Sequence, residues 1–275
     1  MNNDEKALEG FCKIASGEHK VDAFTATDAS MRMGFLFKKQ RKFKEAINIF
    51  WQVAEKSPLK DDADYARLLV AGELWESGMG FYEKHLSLIE KMRYYKESLK
   101  VCNIILNDPT VRDEIRIIAE LIQLEDYFFQ GEYDTAKNLG EAFLQKWTPR
   151  LQDMTNKKVY GKTWNITNCP RRQIITAQMW MGMTYFKLEL YDKCIEMCQK
   201  VNSDMWTSED PYRNFNVFGE ALLFEAMSWE KLGDYAKSEN LKKICGERYT
   251  EWFNVTGKAI LEKHQPIASF SDSLY

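Results

Sequence analysis

Two thiols four residues apart, Cys194 and Cys198 in the stretch YDKCIEMCQK, would share one face of a helix and could touch a common ligand. They are two of six cysteines, the others being Cys12, Cys102, Cys169 and Cys245, and none forms a C-x-x-C pair. The three histidines, His19, His85 and His264, stand far apart and none has a metal-ligand spacing. Phosphate-cradling G-x-x-x-x-G-K-[ST] and G-x-G-x-x-G, the zinc motif H-E-x-x-H and the nucleophile elbow G-x-S-x-G are all absent from the sequence. Cys169, before Pro170 in a polar stretch, is the one thiol that invites a nucleophilic reading, as a cysteine-dependent enzyme. No neighbouring pattern lowers its pKa, however. The reading is therefore that the chain is not an enzyme and uses no cofactor and no metal. Cys194 and Cys198 are expected to be packing residues.

Composition agrees with a folded, non-nucleic-acid-binding chain. Of 275 residues 45% are hydrophobic and 29% charged, with a formal net charge of −3. A nucleic-acid binder would normally carry a basic excess. The one basic cluster, Lys38, Lys39, Arg41, Lys42 and Lys44, falls where a helix ends and a turn follows, and reads as solvated surface. The polar, acidic N-terminus does not resemble a secretory leader, and no apolar run reaches the length of a membrane span. Unpaired cysteine usage then points to reduced thiols and a cytoplasmic protein.

The elements that would position any site are helical. Apolar residues recur at spacings of three and four, as in Ala46, Ile47, Ile49, Phe50, Val53 and Ala54, and this rhythm continues to about residue 260. The expected fold class is all-α. One phrase also repeats: RKFKEAINIF at 41–50, YDTAKNL at 133–139, YDKCIEMCQK at 191–200 and YAKSENL at 235–241.

Ser30 to Pro58 lines up with the ~34-residue pattern W-x2-L-G-x2-Y, A-x3-F, P. Met33-Gly34 takes the Leu-Gly places, Phe37 the Tyr, Ala46 and Phe50 the Ala and Phe, and Pro58 the Pro. This stretch resembles a tetratricopeptide repeat (TPR). Met181-Gly182, Tyr185, Tyr191, Cys194 and Cys198 form a second good copy. Two further copies contain Leu124, Tyr127, Gly131, Tyr133 and Ala136, and Ala226, Trp229, Gly233, Tyr235 and Ser238. A degenerate one carries Tyr95, Ser98, Cys102, Ile105 and Pro109. The small residues let two helices approach closely, and Gly131 and Gly233 are expected to end helices in the left-handed conformation. The aromatics Phe43, Tyr95, Tyr133, Tyr191 and Tyr235 lie 52, 38, 58 and 44 residues apart, so inserts are expected near 61–81 and at 148–172.

The resemblance implies a right-handed α-solenoid of about five TPR-like hairpins. The expected layout is an N-terminal capping helix within 1–27, the solenoid over 28–260, and a flexible tail over 261–275. It also implies a scaffold or adaptor that binds another protein or peptide, with a place in a multi-protein complex, no direct nucleic-acid contact and no membrane. The groove-facing places of the first helices are Met31, Phe35, Leu121, Glu125, Phe128, Met179, Met183, Phe186, Leu223 and Met227. The Lys/Asn pattern by which some members grip a C-terminal carboxylate is missing at these places. Their Met- and Phe-rich character suits a partner helix. The alternative is a regulator that changes shape on binding a peptide.

Overall fold

A computed structural model describes residues 3–80, 82, 85–150, 170–205 and 215–263. It is all-helical among them. In order, the helices are α1 (Asn3–Ala15), α2 (Ala23–Lys39), α3 (Phe43–Lys56), α4 (Lys60–Met79), α5 (Leu88–Asn107), α6 (Asp113–Phe129) and α7 (Tyr133–Trp147). They continue with α8 (Pro170–Lys187), α9 (Tyr191–Met205), α10 (Phe215–Lys231) and α11 (Tyr235–Arg248). A helical turn at Thr250–Trp252 and a π segment at Phe253–Gly257 lead into α12 (Lys258–Lys263). The described residues fall into two compact units, one through Asp126 and one from Tyr127 onward. The stretch expected as one solenoid, 28–260, is divided between them.

In the first unit, α1 to α5 pack each against the next in order. In the second, α8 packs on α7, α9 and α10, and α10 also packs on α9 and α11. The repeated phrase marks one turn used four times. Arg41, Gly131, Glu189 and Gly233 each sit in the left-handed region, with φ of 59°, 80°, 60° and 86°. The next N–H then donates back across the helix end: Lys42 to Phe37 at 2.9 Å, Glu132 to Tyr127 at 3.0 Å, Leu190 to Tyr185 at 2.9 Å, Asp234 to Trp229 at 2.8 Å. This is the hydrogen bonding that closes a helix and satisfies its orphan carbonyls. Phe43, Tyr133, Tyr191 and Tyr235 then open α3, α7, α9 and α11. Tyr133 and Tyr191 pack edge-on against Phe128 and Phe186 at 5.4 and 5.6 Å, whereas Tyr235 is exposed.

The hairpins close on glycine. A Cβ at Gly34 would lie 2.4 Å from the Phe50 ring, at Gly78 2.6 Å from Tyr95, and at Gly182 2.9 Å from Cys198 Sγ. Ala46, Ala136, Cys194 and Ser238 are buried near the start of the second helices. Two expectations are corrected here. Residues 61–81 are no insert: 60–79 form α4, whose Gly80 cap takes a left-handed φ of 81°. Tyr95 is no turn aromatic either, since it lies well inside α5 against Gly78. The period-3.6 signal was weak in α4 because the helix is buried nearly all round. Within 1–27 lies one whole helix, α1, and the start of α2 at Ala23. Most of 148–172 and of 261–275 lies outside the described residues, as does Cys169.

Candidate partner-binding cleft

The first helices spend their apolar stripe on internal packing. Met31, Leu121, Phe128, Met179, Met183, Phe186, Leu223 and Met227 are buried, and so is Glu125. Phe35 is half-buried, edge-on to Phe50 at 5.4 Å. Phe128 meets Trp180 at 5.1 Å, and Phe186 meets Phe224 at 5.4 Å. Apart from half-buried Phe35, the residues expected to line the groove are buried in helix packing. A first helix in the middle of a unit has neighbours on several sides, so its groove-facing places are covered as well.

Several polar groups buried on the same helices are paired, either on their own helix or across to the next. Glu225 accepts from Gln199 at 2.9 Å, from Asn202 at 3.3 Å and from the Trp229 indole at 3.5 Å. The hydroxyls of Ser77, Thr184 and Ser228 donate to the carbonyl four residues back. Burial pushes the carboxyls of Asp126 and Glu220 and the thiols of Cys102 and Cys198 well up; for Cys198 the neighbouring Cys194 thiol is the larger cause. Cys194 and Cys198 sulfurs are 3.9 Å apart in the interior, and the raised Cys198 thiol suits packing and not nucleophilic attack. No group of three or more metal-ligating side chains occurs among the described residues.

The basic cluster divides three ways, which sequence spacing did not reveal. Lys38 enters the interior of the first unit, where its Nζ lies 2.6 Å from Glu73 and 3.1 Å from Glu76. Tyr82 donates to both carboxylates. Desolvation raises the Glu73 carboxyl against the opposing pull of Lys38, and it raises the Tyr82 hydroxyl further. Lys39 pairs with Asp4 at 2.8 Å. Arg41, Lys42 and Lys44 are exposed, as expected, and these three line a cleft.

That cleft, with a volume of about 270 Å³, is built from three separate stretches of the first unit. The α2–α3 turn supplies Arg41 and Lys42, and the first turn of α3 supplies Phe43, Lys44, Glu45 and Ile47. Ser77 at the end of α4, then Tyr82, Leu86 and Tyr94, complete the lining. Lys42 occupies the N-cap of α3 and offers no side-chain acceptor, so the cationic side chains and the positive end of the helix add in sign. The Arg93 guanidinium stands over the Tyr94 ring, 5.5 Å from its centre. Directly after Leu86 the chain presents Leu88 and Ile89, 70% and 82% exposed and adjacent. A second cavity of about 250 Å³, between α1, α2 and α3, is lined mainly by small and polar side chains such as Ala15, Ala23, Ser30 and Ser57.

The chain is similar in fold to BtubC (BKLC) from P. vanneervenii, known from a crystal structure. The two are 10% identical with a TM-score of 0.60, over 93% of this chain and 94% of that one. At that identity the likeness establishes the helical fold and nothing about activity. No family model and no curated protein matches the sequence. No helix among the described residues is long and apolar enough to cross a membrane.

Proposed function

We propose that the protein is a scaffold or adaptor, not an enzyme, which binds another protein within a larger complex in the cytoplasm. In this reading its hairpins stack as TPR-like repeats, in the manner of a right-handed solenoid. One observation supports it most: the first unit holds a cleft in which Phe43, Ile47, Tyr82, Leu86 and Tyr94 stand among charged residues, and two adjacent, highly exposed aliphatic residues, Leu88 and Ile89, follow Leu86 closely in the chain. Single exposed apolar residues are ordinary, but a contiguous apolar patch ringed by polar groups marks an interaction surface. The strongly shifted carboxyls and thiols, by contrast, are sealed inside helix packing, where no substrate reaches them.

The test is recovery of the tagged full chain from its own cells. A protein partner should accompany the wild type in near-stoichiometric amount and be lost with Leu88→Asp/Ile89→Asp, exposed positions whose change leaves the fold intact. A wild type that brings down no protein refutes the scaffold reading. An equal yield from the double variant moves the interaction off this cleft.

A further inference from the structure

We propose that the cleft docks a segment of a partner protein in which carboxylates flank an aliphatic or aromatic anchor; this rests on the scaffold reading above. Among the described residues Arg41, Lys42 and Lys44 have no carboxylate partner, and Glu45 is the one acid of the described lining. Several other cations of this unit are matched: Lys39 with Asp4, Lys60 with Asp64 and Asp108, Arg112 with Asp61. On a chain of net charge −3 this is a local excess of positive charge, and it surrounds an apolar hollow. Charges placed so steer and orient an oppositely charged partner, and an anchor side chain in the hollow supplies the contact energy.

Arg41 adds a second argument. Two of the four equivalent turns use glycine at the left-handed position, and here a long cationic side chain is held there at φ 59°. Strain of this kind persists where the surroundings enforce it and collects at functional sites. Glu189 shares the conformation away from this cleft, so the strain counts only because it coincides with the cavity and the two other cations. A nucleic acid would call for a longer basic track along its phosphates than three residues provide.

The experiment measures fluorescence anisotropy of a labelled EELFEE peptide with the purified full chain. KKLFKK and EEGGEE are the controls, and phosphatidylserine vesicles and a short oligothymidylate are competitors. EELFEE should bind at least about tenfold tighter than either control, and neither competitor should displace it. Arg41→Gly combined with Lys44→Gln should weaken it by about fivefold or more while the melting temperature holds or rises, because glycine relieves the turn. Equal binding of EELFEE and KKLFKK overturns the proposal. So does displacement by vesicles or oligonucleotide, or unchanged affinity in the double variant. A natural partner that survives Arg41→Gly/Lys44→Gln but is lost with Leu88→Asp/Ile89→Asp would leave the scaffold reading standing and sink only this chemistry.

Discussion

Replacing Arg41 and Glu189 by glycine should stabilise the protein, although each change removes a whole side chain. Both residues hold φ near 60°, at 59° and 60°, where an L side chain crowds the following carbonyl. That conformation costs a non-glycine residue about 1–2 kcal/mol. Glycine avoids the crowding but carries more entropy in the unfolded chain, worth about 0.5–1 kcal/mol. The net gain is then about 0.5–1 kcal/mol at each turn. The two turns share no hydrogen bond, so the gains should add. For a protein of this size a kilocalorie is worth roughly 2–4 °C, which puts the double variant about 2–8 °C above the wild type. Calorimetric melts of the two single variants and the double check the sum. The reverse changes calibrate it. A Cβ at Gly131 or Gly233 would meet nothing within 4 Å, so Gly131→Ala and Gly233→Ala are purely conformational, and each should cost about 1 kcal/mol. If the glycine variants melt at or below the wild type while the alanine variants are harmless, the four turns do not share one conformational origin and the argument fails.

Gly182→Leu should destabilise by about 1–3 kcal/mol, because the first added carbon already lies 2.9 Å from Cys198 Sγ and 3.7 Å from the Cys194 carbonyl; an unchanged melting temperature refutes it. Glu220 is buried without a hydrogen-bond partner among the described residues, and its carboxyl is pushed well up by desolvation. Its folded-state pKa therefore exceeds the unfolded value of about 4.3, so stability is complete below that pH and declines as pH rises above it. Glu220→Gln should then raise the melting temperature at pH 7 and converge on the wild type near pH 4, and parallel melting curves across that range would exclude the idea.

The parts of the fold that rest on local pattern were legible in the sequence. The recurring aromatic, the small residue after it and the helix-ending glycine all lie within one turn and its flanks. Gly34 and Gly182 could be assigned to packing before any coordinates because the pattern fixes what they face. Features set by tertiary surroundings were not legible. Residue 41 carries no glycine signal, so its left-handed turn is hidden even though it matches Gly131 in hydrogen bonding. Met179 and Phe186 have the residue types of a binding stripe, and only packing by neighbouring helices makes them core. Lys38 reads as one of five surface cations, yet it reaches Glu73 and Glu76 across 35 and 38 positions of chain. The cleft draws on Arg41 to Glu45 and Ile47, on Ser77 and Tyr82, and on Leu86 and Tyr94, and no single stretch contains enough of it to be recognised.

Uneven burial sets how freely different parts of this chain can change over evolutionary time. In α4 fifteen of twenty residues are buried, whereas α11 buries two of fourteen. Almost any drift in α4 disturbs a neighbour, while α11 can be rewritten at most positions with only its two inward contacts kept. Descendants of this sequence should therefore diverge fastest on the outer helices and slowest on the inner ones. Two such chains could look unrelated by residue identity long before their helices ceased to superpose.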